Sequence, residues 1–381
     1  MSCGDDAAAI VIGGGIAGLS AAWALAARSD VIVVEMAPTT GYHASGRSAS
    51  VLSETSGHRL VCALAAASRG FFESPPPGFV DQPLLSARGL LWVGGEGQRD
   101  VLDAFARSAA LVAPSVRRLE ATEVLRLMPR FRPEAVTGGG VFEPDAMTID
   151  ADALLQGFGR GLRGRGSVVR TSEEALTLRR IDSKWVVTTE RHALRAPVVV
   201  NAAGAWGDVV AERAGIPAIG LQPRRRTACI AALADVDPQW PLVMDISGAY
   251  YFEPASGGLL VSPADETPSE PCDARAEEVD VAIALDRVRE ATTLPVKSVR
   301  TAWAGLRTFS PDSAPVVGEE PSAPGFYWLV GQGGGGIKTA PALAAAIAAA
   351  VFDEPIPSAL VERGVSAADL SPSRFVRKST S

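Results

Sequence analysis

The sequence predicts an α/β fold: a Rossmann-like dinucleotide-binding domain joined to a second domain built on an antiparallel sheet. Three observations predict it. The apolar residues Val11-Ile12 run into Gly13-Gly14-Gly15-Ile16-Ala17-Gly18 and then into a helical stretch; the second apolar run, Val31-Ile32-Val33-Val34, closes on Glu35; and alternately patterned strands fill the chain between Gln222 and Arg300.

In the opening βαβ unit each glycine has its own task. Gly13 permits the tight turn out of the strand, Gly15 lets the backbone approach a pyrophosphate, and Gly18 lets the helix pack closely on the sheet. The phosphates are expected at the N-terminus of an Ile16–Arg28 helix, where unpaired amides and the helix dipole favour negative charge. Glu35 follows Gly18 by about 17 residues, close to the spacing of a carboxylate that accepts from ribose hydroxyls, and it disfavours a 2′-phosphate. The motif alone does not choose between FAD and NAD.

At 381 residues the chain can enclose a sizeable core in two lobes. A formal net charge of -7 and short Arg runs (Arg179-Arg180, Arg224-Arg225-Arg226) exclude a nucleic-acid footprint and point to a small-molecule partner. Cys3, Cys62, Cys229 and Cys272 form no CxxC pair and no metal-ligand spacing, which suits a reducing cytoplasm. The stretch Met1–Asp6 has no signal-peptide pattern. The apolar stretch Ala340–Phe352 falls short of the ~20 residues a transmembrane helix needs and reads as a buried, Ala-rich helix.

Along the chain, a Gly/Ser-rich loop (Gly41–Ser48) precedes a helix from Arg59 to Phe72 that Pro75-Pro76-Pro77 ends. From Leu84 to Gly140 a short strand (Leu90–Val93), helices at Val101–Val112 and Glu123–Leu127 and intervening loops read as an insertion. A helix over Asp150–Arg163 leads to strands at Val168–Arg170, Ala175–Ile181, Trp185–Thr189 and Ala196–Asn201, the last apolar enough to be buried on both faces. It ends in Asn201-Ala202-Ala203-Gly204-Ala205-Trp206, whose small residues let the backbone pass close to a ligand. Strands at Thr227–Leu233, Tyr250–Glu253 and Gly258–Ser262 and a helix over Ala276–Ala291 form the antiparallel part. The tail returns with Pro315–Gly318, Phe326–Val330, the loop Gly331–Gly336 and a helix from Ile337. Gly331, Gly333 and Gly336 repeat the GxGxxG spacing, but no second strand and acid follow, so a separate NAD site is not expected there.

Five segments, GGGIAG, GYHASGRS, NAAGAW, AWAGLRTFSPD and GQGGGGIK, resemble in this order the FAD-dependent D-amino-acid oxidase (DAO) family, which includes glycine and sarcosine oxidases. FFESPPPGFVDQPLLS and LQPRRRTA resemble, within it, the bacterial D-arginine dehydrogenases. The resemblance implies a FAD domain from three segments (1-85, 141-220, 301-381) and a substrate domain from two (86-140, 221-300). It implies non-covalent FAD, since the tail has Ser310-Pro311-Asp312 where sarcosine-type enzymes carry a flavin-linking Cys. Pyrophosphate and ribose would be held by Gly13, Gly15, Ile16, Ala17, Gly18 and Glu35. Ser45, Arg47 and Ser48 would lie near phosphates and flavin, Ala175 near the adenine, and Ala203, Gly204 and Trp206 along the dinucleotide. Gly333, Gly334, Gly335, Gly336, Ile337 and Lys338 would bring helix N-terminal amides to the flavin.

For the substrate, the resemblance implies Arg307 as the carboxylate-binding guanidinium, with Tyr251, Arg225 and Lys338 around the same carboxylate. Each has a plain structural alternative: a surface ion pair for Arg307, sheet packing for Tyr251, surface charge for Arg225. His43 is expected to order its loop. Where the D-arginine enzymes have a Glu to receive the cationic side chain this chain has Leu90, and their pocket-lining His, Thr and Tyr are Val51, Ser53 and Ser56. With no acid beside Leu90, D-arginine is disfavoured. The expected reaction is oxidation of an α-amino acid with an uncharged side chain, or of an N-substituted amino acid, by hydride transfer from Cα to flavin N5, the imine hydrolysing to an oxo acid. A 2-hydroxy acid or an N-alkylglycine is the alternative substrate; oxygen and quinone stay open as electron acceptor.

Overall fold

The computed structural model describes residues 5–375, so Cys3 and the start of the Met1–Asp6 stretch lie outside it. The first layer is a six-stranded sheet in the order Val316–Glu319, Phe326–Val330, Val198–Asn201, Ala9–Ile12, Val31–Val34, Val168–Arg170. Ala9–Ile12 pairs in parallel with both Val198–Asn201 and Val31–Val34. Only the Val316–Glu319 edge is antiparallel. The central strands are apolar without alternation because both faces are covered. On one face pack the helices Ile16–Leu25, Arg59–Glu73, Ala151–Gly164 and Gly336–Val351, whose Ala-rich surfaces share one core with Leu19, Phe72, Phe158 and Ile347. The other face is closed by the three-stranded sheet Thr177–Ile181, Lys184–Thr188, Ala193–Ala196, with Trp185 and Val187 buried against Phe326 and Trp328.

The second domain is a ten-stranded sheet. Its spine is the antiparallel pair Gln222–Ala232 and Val299–Phe309, followed by Gly258–Ser262, Tyr251–Ala255, Leu242–Asp245, Leu90–Gly94 and Gly139–Glu143. One junction, Leu242–Asp245 with Leu90–Gly94, is parallel. Alternation divides it: Cys229, Phe252 and Val261 face a core closed by the Glu278–Ala291 helix, while the opposite residues face the first domain.

The Ile16 helix ends at Leu25, short of Arg28. The strand expected from Thr227 begins at Gln222, because the basic triplet it includes alternates between two polar environments. The strand around Arg307 belongs entirely to the ten-stranded sheet, past the expected break at 300, and Gly139–Glu143 straddles the one at 140.

Candidate active site

Between the two sheets lies a cleft of about 1550 Å³ of non-atom space, counting the solvent at its mouth. Its nucleotide end is built by close backbone approach. Gly13 turns with φ +109°, and a Cβ there would stand 2.4 Å from the Ala202 carbonyl oxygen; one on Gly18 would stand 1.8 Å from the Gly13 oxygen. Glu35 Oε2 accepts from the Gly14 amide at 2.5 Å and Oε1 from the Ala37 amide at 2.7 Å, so the buried carboxylate is fixed at the second strand's end with lone pairs to spare. Gly14 is the residue that the sequence reading passed over: a Cβ on it would meet the Glu35 side chain at 2.9 Å.

Ser45 Oγ accepts from the Ile16 amide at 2.9 Å and so caps the first helix from the loop 41–48. Arg47 reaches across to the second domain, donating to the carbonyls of Ala274 (2.8 Å) and Ala304 (2.9 Å) and pairing with Asp273 at 2.6 Å. His43 lies 4.8 Å from the Trp206 ring and 5.0 Å from Tyr42, and burial lowers its pKa. At the far end, Ala175 lines the wall and its carbonyl accepts from Arg213, while buried Glu173 accepts from Thr189 and meets His192 at 3.0 Å.

The substrate side of the cleft is one face of the ten-stranded sheet. Register sets Arg226 opposite Gly305 and Arg224 opposite Arg307, so Arg224, Arg226 and Arg307 share that face. Arg307 lines the cleft, and among the described residues its guanidinium has no hydrogen-bond or ion-pair partner. It lies against Gly334, where a Cβ would stand 2.9 Å from its Nη1. Arg226 donates to the Asp265 carbonyl at 2.6 Å and pairs with Glu266 at 3.0 Å; burial and the neighbouring Arg307 charge lower its pKa to about 10. Its guanidinium carbon is 6.0 Å from the centroid of Tyr251. Two guanidiniums so placed repel each other and are relieved by an anion between them.

Three of the expected substrate residues stand elsewhere. Arg225 points through the other face of its strand, where it pairs with Glu277 and, at 2.9 Å, with Asp280; alternation of successive side chains puts Arg226 in the cleft instead. Lys338 is outside the lining, its Nζ donating to Ser53 O (3.0 Å), Ser56 O (2.7 Å) and Ser56 Oγ (2.8 Å). Leu90 is fully buried behind Tyr251, in an apolar cluster with Leu242, Leu260 and Ala146. It does have an acid beside it, contrary to expectation: Glu143 is its direct cross-strand partner. That carboxylate is engaged, accepting from Ser53 Oγ (2.7 Å), Thr55 Oγ1 (2.6 Å) and the Glu54 amide (2.8 Å).

Of the expected cofactor residues, Gly13, Gly15, Ile16, Ala17 and Glu35 line the cleft, as do Ser45, Arg47, Ser48 and Ala175. So do Ala203, Gly204, Trp206, Gly333, Gly334, Gly336 and Ile337, whereas Gly18 and Gly335 sit behind it. A Cβ on Gly335 would meet Val61 at 2.5 Å. Among the described residues no helix is long and apolar enough to cross a membrane, and no group of three or more His, Cys, Asp or Glu could hold a metal.

The profile of the FAD dependent oxidoreductase family (DAO) matches residues 8–350. FAD-dependent oxidoreductase domain-containing protein 1 from Bos taurus is 26% identical, covering 90% of this chain and 81% of its own. Glycine oxidase from Geobacillus kaustophilus (strain HTA426) is 25% identical over 96% of both chains. The crystal structure of glycine oxidase from Geobacillus kaustophilus superposes with a TM-score of 0.82 at 22% identity, over 92% of this chain and 95% of that one. Iminodiacetate oxidase from Chelativorans sp. BNC1 superposes with a TM-score of 0.80 at 22% identity, over 96% and 98%.

Proposed function

The chain belongs to the FAD-dependent oxidoreductases of the DAO family, and from that premise we propose that it oxidises an amino acid or N-substituted amino acid that has one free carboxylate and an uncharged side chain. The single observation that carries this reading is the unpaired Arg307 guanidinium beside Arg226 and Tyr251.

The residues present suit FAD. The backbone cradle at Gly13–Gly15, the fixed carboxylate of Glu35 and the N-terminus of the Gly336–Val351 helix offer groups for pyrophosphate, ribose and an electron-rich ring respectively. When bound, FAD supplies the two-electron acceptor. Arg307 grips the substrate carboxylate, with Arg226 and the Tyr251 hydroxyl at its other edge, and so fixes the α-carbon at the cofactor-facing side of the sheet. The same two positive charges disfavour an ammonium and hold the substrate amine in the neutral form that oxidation needs.

The side chain then lies over Tyr251, which packs on the buried Leu90 cluster. A cationic side chain finds no carboxylate in the cleft wall beside Tyr251: Glu143, which accepts three hydrogen bonds from the 53–55 loop, and Glu253, 3.7 Å from Arg88, both lie outside the lining. His43, whose pKa burial lowers, or a Tyr of the cleft is the candidate base for a 2-hydroxy acid, and the substrate panel addresses it directly.

The test is anaerobic loss of the oxidised flavin band across D-, L- and N-methyl amino acids and 2-hydroxy acids. Reduction by amino acids with uncharged side chains is expected, together with a loss of about 100-fold or more in kcat/KM in Arg307→Met. Reduction by hydroxy acids alone overturns the reading.

A further inference from the structure

Two buried ions of opposite sign meet around one short segment, Ser53–Ser56, and neither is a surface charge. Lys338 is 6% exposed and lies in the first turn of its helix, where the dipole opposes a cation. Glu143 is 1% exposed and comes from the other domain. Ser53 joins them: its carbonyl accepts from Lys338 Nζ at 3.0 Å and its hydroxyl donates to Glu143 at 2.7 Å. Burial lowers the Lys338 pKa, against the opposing influence of Cys62 and Glu143. Glu54, between the two anchor points, is tied to Arg69 at 2.6 Å. The segment directly continues the Val51–Leu52 strand, and Val51 packs on the Leu90, Tyr251 and Leu260 cluster, of which Tyr251 lines the cleft.

We propose that Lys338 and Glu143 are positioning residues that lock the Val51–Ser56 segment from opposite domains, and that Lys338 is not a ligand of the substrate carboxylate. This rests on the assignment of that carboxylate to Arg307. All three near-tetrahedral donor positions of Lys338 Nζ are used by Ser53 and Ser56, so a substrate could reach it only by dismantling the loop. Removing Lys338 leaves the Ser53 and Ser56 carbonyls without their donor, and changing Glu143 weakens the hold on Ser53, Glu54 and Thr55, so a change on either side is expected to loosen the segment.

The experiment compares Lys338→Met, Lys338→Arg, the double variant Glu143→Gln/Lys338→Met, and Arg307→Met. One readout is limited proteolysis of the holoenzyme, mapped to bonds 51–58; the other is its dissociation constant for benzoate, read from the flavin visible spectrum. Lys338→Met is expected to speed cleavage about tenfold, with Lys338→Arg returning to within about threefold of the parent and the double variant cut at least as fast as Lys338→Met. Benzoate affinity of the double variant should stay within about threefold, against a loss of about 100-fold in Arg307→Met. The clamp is overturned if cleavage is unchanged in Lys338→Met, if the double variant is cut more slowly than Lys338→Met, or if Lys338→Met weakens benzoate as much as Arg307→Met. Should Lys338→Met not fold, Ser56→Ala takes its place with a cleavage increase of about threefold, and no increase overturns the clamp. Unchanged benzoate affinity in Arg307→Met overturns the carboxylate assignment instead, and leaves the cleavage result to decide the clamp.

Discussion

Glu253 stands two residues beyond Tyr251 on the same strand, its carboxylate 3.7 Å from Arg88, and burial raises its pKa from 4.5 to about 7 against the pull of that arginine. The folded state therefore binds a proton that the unfolded chain releases between those values. The stabilisation is complete below about pH 4.5 and is lost as pH rises through about 7, by on the order of 3 kcal/mol. Glu253→Gln removes the linkage. Urea midpoints measured at about pH 5 and about pH 8.5 should lie closer together in the variant, its gain being largest on the alkaline side. The neighbouring triplet shows what a residue-level reading can and cannot see. The resemblance placed Arg225 at the substrate carboxylate, but which of Arg224-Arg225-Arg226 enters the cleft depends on strand register, and pairing with the Arg307 strand turns Arg226 there and Arg225 away. Lys338 was legible as special by its place after the glycines. Its partners, some 280 residues away in sequence, were not.

The opening strand, turn and helix work as one element whose parts have almost no clearance. The helix can reach the sheet only because Gly18 has no side chain, and Glu35 can seat its carboxylate only because Gly14 has none. Gly18→Ala is expected to cost about 3 kcal/mol and to yield protein largely free of flavin, read from the ratio of visible to ultraviolet absorbance. This element was almost fully legible, since glycine spacing, flanking apolar runs and the closing acid are all local. Of the strand that carries Arg307, only the segment AWAGLRTFSPD was legible, and that from its resemblance. Its outer half, Val299–Trp303, is exposed or half-buried and lacks the apolar alternation that marks a strand, and its register is supplied by Gln222–Ala232 across the sheet.

At the scale of the molecule, the two domains meet along the cleft and are joined by a few long polar side chains. Arg47 links the loop 41–48 to Ala274 and Ala304, and the Gln332–Gly333 strand extends the ten-stranded sheet from within the glycine loop that follows the six-stranded one. The antiparallel second domain and its place beside the nucleotide site were legible as a class. Its ten-strand order was not, because Leu90–Gly94 and Gly139–Glu143 join it from a part of the chain that reads as an irregular insertion.

The order of strands in the six-stranded sheet also sets a timetable. Ala9–Ile12 has Val198–Asn201, made much later in synthesis, as a central neighbour, and Phe326–Val330, later still, closes that neighbour's far side. The turn at Gly13 is therefore synthesised long before the carbonyl of Ala202 and the loop at Gly333–Gly336 that complete its cleft. Until those later segments are made the nucleotide motif is an unfinished surface, because the contacts that complete it are distant in sequence. A chain ended at residue 325 is expected to retain no FAD and to be rapidly degraded by trypsin, although it contains every residue of the motif with which the sequence begins.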